Sequence, residues 1–240
     1  VTTYVSWLIF LRKEDRFPKY VLKKIIREAN KLIKVRDRFY SYVWLTPWHP
    51  FNPHKLNIGW LDGIISFFVR NYGSLSLGEI ERLLPHIDLF IFESTPAIML
   101  FERIKNINPN ARYVYRVSDD LKLLGRHPIV IETESRIVSQ FDLVSVPSQY
   151  FLRKFSQLNN VELHYHGIAK EVYDASKVSP YPPNSYNLIF VGNSLLDIDF
   201  INIAARLFTD FYFHIIGKFD YKSKEQNVIF YGELPFMRTV

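Results

Sequence analysis

The sequence predicts an α/β protein built on doubly wound, mostly parallel sheets. Three observations carry that reading. Short β-branched and aromatic runs alternate with stretches of helical hydrophobic period, the pattern of repeated βαβ units. Several of those runs stop at Gly, Ser, Asn or Asp, residues that turn the chain at a strand end. The rhythm pauses at a Pro-rich polar segment, Ser179-Pro180-Tyr181-Pro182-Pro183-Asn184, and then restarts. Two sheets of one kind, joined near residue 180, imply two domains facing a cleft. The expected boundaries are 1–180, with its first strand cut short or missing, and 181–240, the start of a second domain. About 55 residues after the linker are too few for a complete doubly wound half.

In order, Thr3 to Leu11 reads as an apolar strand. Pro18 opens a helix to about Val35, because positions 21, 22, 25, 26, 29, 32 and 33 form one apolar stripe. Proline suits a first turn, where its missing N–H is not needed. Tyr40 to Thr46 alternates and is aromatic, hence a strand. Pro47-Trp48-His49-Pro50-Phe51-Asn52-Pro53-His54 is a stiff loop. Trp60 to Arg70 is an apolar helix, either buried or lying in an interface. Ile87 to Phe92 is a strand ending in Glu93-Ser94-Thr95, followed by a helix to about Lys105 and a turn at Asn108-Pro109-Asn110. The strand at Tyr113 comes next. A helix from about Ile129 to Gln140, a strand from Asp142 to Val146, a helix to about Phe155 and a strand from Val161 to His166 follow. Beyond the linker, strands are expected at Asn187–Val191, Phe211–Ile216 and Val228–Tyr231, with a helix to about Phe208 after the first.

Composition narrows the class. Hydrophobic residues make up 48% of the 240, enough for a sizeable core. The absence of Cys excludes a disulfide framework and thiolate metal sites. No apolar run approaches the roughly 18 residues of a spanning helix, so contact with a membrane would be peripheral. The net charge of +6 is concentrated: from Arg12 to Arg38, eleven Lys and Arg stand against four carboxylates, and the rest of the chain is near neutral. Lys19, Lys23, Lys24, Arg27 and Lys31 therefore read either as a solvated face or as a contact for anionic lipid headgroups or a phosphate-bearing substrate. Trp48 and Phe51 are candidates for an interfacial or sugar-stacking surface, or pack beneath their own loop. A nucleic-acid partner is not expected, since the basicity is confined to one segment and no recognition motif accompanies it.

The chemistry centres on Tyr113-Val114-Tyr115-Arg116-Val117-Ser118-Asp119-Asp120-Leu121. A strand here ends in a carboxylate pair, and in open α/β sheets that end faces the ligand crevice. An Asp so placed either caps the turn or takes a proton from a bound hydroxyl. Gly192-Asn193-Ser194 lies between a strand and a helix, either as a plain turn or as a site for a diphosphate at backbone N–H groups. Asp197-Ile198-Asp199 spells a metal-binding D-x-D, but at a helix start it reads as a cap. His164 and His166 share a strand face without an apparent third metal ligand.

Several short segments together resemble the membrane-associated glucuronosyltransferases of xanthan-type exopolysaccharide synthesis. They are His49-Pro50-Phe51-Asn52, Phe92-Glu93-Ser94, Asn108-Pro109-Asn110-Ala111, Tyr115-Arg116-Val117-Ser118-Asp119, His166-Gly167, Val191-Gly192 with Asp197, Phe213-His214-Ile215-Ile216-Gly217 and Tyr231-Gly232-Glu233. The resemblance implies the GT-B fold, two Rossmann-like domains facing a cleft, here with the second truncated. It implies inverting transfer of glucuronic acid from UDP-glucuronate to a polyprenyl-diphosphate-linked oligosaccharide at the cytoplasmic face of the bacterial inner membrane. Asp119 matches the family's catalytic base, and Asp120 stands where the family has Gly. Gly192, Asn193, Ser194 and Glu233 fall on the donor side. No metal or cofactor is implied beyond the UDP-sugar co-substrate. Other readings of the residues are a GT-B transferase using another UDP-hexose such as UDP-glucose, and a non-catalytic protein binding a nucleotide sugar or a polyanion.

Overall fold

A computed structural model describes residues 2–3, 27–174, 179–193, 195–221 and 223–235. The chain divides into two compact units, Val1–His166 and Gly167–Val240.

Unit 1 begins with β1 (Thr2–Thr3), β2 (Leu32–Arg36), β3 (Phe39–Tyr42) and β4 (Leu45–Thr46). β1 pairs with β4 in parallel, and β2 with β3 as an antiparallel hairpin. The helix expected through Val35 is thus corrected. Asn30 adopts a left-handed φ of 56°, and its side chain binds the backbone of Leu45 through both Oδ1 and Nδ2. That ends any helix before residue 31. Ile33 and Val35 are β-branched and suit a strand. Positions 18–26, with Lys19, Lys23 and Lys24, lie outside the described residues, as does all but Thr3 of the strand expected from Thr3 to Leu11. The single strand expected over Tyr40–Thr46 is two strands, because Val43 leaves the hairpin to bridge Ala29.

The main sheet of unit 1 consists of β5 (Leu89–Glu93), β6 (Arg112–Arg116), β7 (Leu143–Val146) and β8 (Val161–Leu163), all parallel and in sequential order. Parallel neighbours need a crossover. Helices α2 (Phe101–Ile107), α3 (Pro128–Ile137) and α4 (Gln149–Lys154) lie in those crossovers. The preceding α1 (Asp62–Arg70) follows a 3₁₀ turn at Gly59–Leu61. Tyr113 and Tyr115 on β6 and Val117 just beyond it alternate and are buried. They meet an aromatic cluster in which Phe101 and Phe141 lie 4.2 Å apart and Phe141 and Tyr115 lie 5.4 Å apart, centroid to centroid. Such pairs contribute about 0.5–1.5 kcal/mol each beyond their buried area. β8 stops at Leu163, so the strand expected to His166 is shorter and the two histidines share no strand face. Among the described residues no cluster of three His, Cys, Asp or Glu is disposed to hold a metal.

Unit 2 contains α5 (Lys170–Asp174), which the sequence did not announce, then β9 (Tyr186–Val191), α6 (Ile198–Leu207), β10 (Phe211–Ile216) and β11 (Val228–Gly232). Its three strands are parallel in the order β11-β10-β9. Phe213, Ile215, Ala204, Ala205 and Val228 form the core. His214 ties the sheet laterally: its Nε2 lies 2.9 Å from Asn187 Oδ1 on β9 and its Nδ1 2.7 Å from the Tyr231 hydroxyl on β11. The amide oxygen only accepts, so Nε2 carries the proton and Nδ1 accepts from Tyr231. Burial lowers the His214 pKa, in keeping with a neutral ring.

Candidate active site

The polar residues of unit 1 gather where β5, β6 and β7 end. Glu93 and Arg116 are register partners and pair at 3.1 Å. After β6, the Val117 N–H still reaches the Ser145 carbonyl at 2.9 Å, and the chain then leaves the sheet. Ser94, 2% exposed at the end of β5, catches it there. Its Oγ accepts from the N–H groups of Ser118 at 3.1 Å and Asp119 at 3.4 Å. Asp119 is exposed, and among the described residues nothing hydrogen-bonds or pairs with its carboxylate.

Asp120 faces the other way. It is 7% exposed. Its Oδ1 accepts from the N–H groups of Lys122 at 2.8 Å and Leu123 at 3.2 Å. Its Oδ2 accepts from the Tyr150 hydroxyl at 2.9 Å and Lys154 Nζ at 3.1 Å. Burial alone would raise its pKa, but the bonds from Lys154, the Leu123 N–H and Tyr150 outweigh it and hold the carboxyl below its usual range. Lys154 Nζ also lies 3.7 Å from Oε2 of buried Glu134, whose Oε1 accepts from the Tyr115 hydroxyl. Burial pushes Glu134 up, against the hydrogen bond from Tyr115 and the charge of Lys154. The two aspartates therefore have separate work. Asp120 shapes the turn and neutralises Lys154, while Asp119 remains outward with a free carboxylate. Glu134, Tyr150 and Lys154 were not singled out from the sequence, and Ser94 and Tyr115 figured there only inside longer segments, with no role of their own. One signal existed: Glu134 interrupts the apolar stripe of α3, among Val130, Thr133 and Ile137.

Neighbouring loops are tied to this turn. Asn52 accepts from the His54 N–H at 3.1 Å and donates to the Gly125 carbonyl at 3.3 Å, and Lys55 reaches the Leu124 carbonyl. Trp48 and Phe51 are half-buried against the core, with Trp48 Nε1 donating to the Phe68 carbonyl at 2.8 Å. Arg27 and Lys31 are exposed, and Arg27 pairs with Glu28 at 3.4 Å. His127, Asp62 and Ser66 superficially resemble a nucleophilic triad. Asp62 and Ser66 both approach Nε2, at 3.6 and 3.4 Å, while Nδ1 accepts from the Ile129 N–H. A triad needs the acid and the nucleophile on opposite ring nitrogens, so this cluster only caps α3.

In unit 2 the carboxyl ends of the strands converge on glycines. The Gly192 N–H donates to Ile216 and the Gly217 N–H to Gly232. Gly217 has φ +145°, and a Cβ there would sit 1.8 Å from the Gly192 carbonyl oxygen, so only glycine permits this closeness. Asn193 Oδ1 accepts from the Lys218 N–H at 2.7 Å, and Glu233, exposed, follows β11 on the same edge. Ser194 lies outside the described residues. Asp197 accepts from the Phe200 N–H at 2.9 Å, the helix cap expected for the D-x-D.

Comparison with known proteins gives two findings. The family described as "Glucuronosyltransferase GumK, N-terminal domain" matches residues 1–147. The UDP-glucuronate:glycolipid 2-beta-glucuronosyltransferase of Xanthomonas campestris pv. campestris is 27% identical over 201 residues, 83% of this chain and 49% of that protein. The chain thus spans about half the length of this curated relative. The family match runs from the first residue through β7, includes Asp119 and its turn, and covers more than half of the chain. The chain therefore belongs to the GumK glucuronosyltransferase family and carries its N-terminal domain.

Proposed function

We propose that the whole protein is an inverting GT-B glycosyltransferase of bacterial exopolysaccharide synthesis, moving glucuronic acid from UDP-glucuronate to a polyprenyl-diphosphate-linked oligosaccharide. The observation that carries the chemistry is the free, exposed carboxylate of Asp119 at the carboxyl end of a parallel strand, held through its backbone by Ser94. Asp119 accepts the proton of an acceptor hydroxyl while that oxygen bonds to the anomeric carbon. The bond from that carbon to the nucleotide breaks, and UDP departs with the electron pair. Backbone N–H groups near Gly192 and Asn193, with Glu233 on the same edge, suit the donor side. In this reading residues 1–180 form the acceptor-side domain and 181–240 begin the nucleotide-sugar domain. The mechanism asks for one base and no metal. The name of the Xanthomonas relative, with a glycolipid acceptor and a UDP-glucuronate donor, supports the substrate classes.

The same reading places the protein peripherally at the cytoplasmic face of the inner membrane, near its lipid-linked acceptor. Trp60, Ile64 and Phe67 recur at helical spacing and are 81%, 61% and 64% exposed, an apolar stripe of the kind that enters a headgroup region. Among the described residues no helix is long and apolar enough to cross a membrane. Lys19, Lys23, Lys24, Arg27 and Lys31 supply positive charge for anionic headgroups.

The test is turnover of the full-length protein on membranes carrying lipid-linked oligosaccharide, with UDP-glucuronate and UDP-glucose side by side. Transfer from UDP-glucuronate is expected, and Asp119→Asn is expected to lower kcat by roughly 10²–10⁴-fold. Transfer from UDP-glucose alone would reassign the donor. Unchanged turnover in the Asp119→Asn protein would remove the base.

A further inference from the structure

The loop that presents Asp119 is held by a chain of buried polar groups, none of which reaches the solvent face where Asp119 lies. Ser94 and Glu134 are 2% and 3% exposed, and Tyr115 is fully buried. Tyr115 donates its single phenolic hydrogen to Glu134 Oε1. Its oxygen lies 3.4 Å from Ser94 Oγ. The phenol's proton is already committed, and Ser94 Oγ accepts two backbone N–H bonds, from Ser118 and Asp119. The serine's own hydrogen is therefore directed to the Tyr115 oxygen. The bonds run in one sense, from the Asp119 and Ser118 amides to Ser94, from Ser94 to Tyr115, and from Tyr115 to the Glu134 carboxylate.

Three elements meet in this chain: Ser94 follows β5, Tyr115 is on β6, and Glu134 is on α3. An ordinary strand end would satisfy the two amides with water. A buried carboxylate instead polarises the phenol and the hydroxyl in series, which strengthens the bonds to the Asp119 backbone. Lys154 supports the far end, sharing its ammonium between Glu134 Oε2 at 3.7 Å and Asp120 Oδ2 at 3.1 Å. Lys154 thereby fixes Asp120, the residue that follows Asp119.

We infer that Ser94, Tyr115 and Glu134 form a positioning relay, which sets the backbone of Asp119 so that its carboxylate meets the acceptor hydroxyl in one orientation. The inference rests on the reading of Asp119 as the base. Catalysis is sensitive to such placement, since an error of about 1 Å can cost on the order of 10²-fold. All three residues are at most 3% exposed, so each acts through Asp119 and not on the substrate directly.

The experiment compares Ser94→Ala, Tyr115→Phe and Asp119→Asn in the full-length enzyme, measuring kcat, the KM for UDP-glucuronate and the thermal midpoint. Ser94→Ala and Tyr115→Phe are expected to lower kcat about tenfold or more, with the donor KM within about twofold of the parent. At the assay temperature both variants should be fully folded by circular dichroism. A kcat that falls only in proportion to the folded fraction overturns the relay and leaves these residues an ordinary packing role. Parent-level kcat in both variants, with Asp119→Asn impaired, overturns the relay and leaves the base standing. Normal turnover in Asp119→Asn overturns the base, and the relay with it.

Discussion

Lys154 balances the buried charge of unit 1, one ammonium between two carboxylates. Its side chain is 28% exposed, against 6% for Asp120 and 4% for Glu134. Replacing it with Met keeps much of the contact with the Phe155 ring, 5.2 Å from Nζ, but leaves two buried carboxylates without a cation. Lys154→Met is expected to cost about 3 kcal/mol at neutral pH. The deficit should shrink on acidification. Asp120, held below its usual range, contributes stability above the ordinary carboxylate pKa, and that contribution fades as pH falls through its folded-state value. Glu134, pushed up by burial, takes a proton more readily folded than unfolded, so acid relieves its cost. Urea unfolding at pH 7.5 and 5, followed by tryptophan fluorescence, reads the Glu134 part of the difference, since the Asp120 part is lost only at lower pH; an equal deficit at both would remove Glu134 as its source. The Ser-Asp-Asp turn at the end of β6 was legible, because short polar residues after a β-branched and aromatic run have a local meaning. Its partners were not. Glu134 and Lys154 lie 19 and 34 residues from the groups they bind, and no local rule pairs residues across a sheet.

At the scale of elements, those that depend on local pattern were read well and those decided by pairing were not. The strands β5, β6, β7, β9 and β10 and the helices α3 and α6 fall close to where alternation and period place them. The β2–β3 hairpin was missed because its first strand shares a helical stripe with the residues before it, and Asn30 breaks the stripe through a tertiary bond to Leu45. Helix α1 shows a different limit. Its apolar character was evident, but the sequence left open whether it is buried or interfacial. Ile65 and Val69 are buried on one face, while Ile64 and Phe67, in line with Trp60, are exposed on another. Burying one such side chain fully in an apolar medium is worth about 1.5–3 kcal/mol. A Trp60→Ser/Phe67→Ser double variant, in which both side chains face solvent, is expected to keep its thermal midpoint and lose at least about tenfold in affinity for vesicles containing anionic lipid. Co-sedimentation with such vesicles, at several salt concentrations, measures it. Unchanged binding would move the membrane contact away from α1.

Across the whole molecule the two units differ in how their cores are built. Unit 1 carries a broad aromatic and aliphatic core, whereas unit 2, among the described residues, gathers five buried apolar side chains and relies on His214 to bind β9, β10 and β11 side by side. That arrangement makes unit 2 sensitive to acid. A buried histidine with a lowered pKa resists protonation while folded, but its unfolded counterpart takes a proton below about pH 6.5. The unfolded state then binds more protons, so the stability of unit 2 is full above that pH and declines as pH falls below it. Protonation would also give Nδ1 a hydrogen, which the Tyr231 hydroxyl, 2.7 Å away, meets only by turning from donor to acceptor. His214→Phe is expected to lose about 2 kcal/mol at pH 7.5, because Asn187 and Tyr231 are left without their partner, and to lose less further stability on acidification than the parent does. The measurement separates the units without dissecting them. Of the four tryptophans, at 7, 44, 48 and 60, the three described ones belong to unit 1 and none falls within Gly167–Val240, so fluorescence does not follow unit 2, while far-UV circular dichroism follows both. In urea at pH 7.5 and 5.5, the variant should shift the early part of the dichroism transition and leave the fluorescence transition in place. A fluorescence transition that moved with the variant would show the two units unfolding as one, and a parent insensitive to pH would remove His214 as the cause.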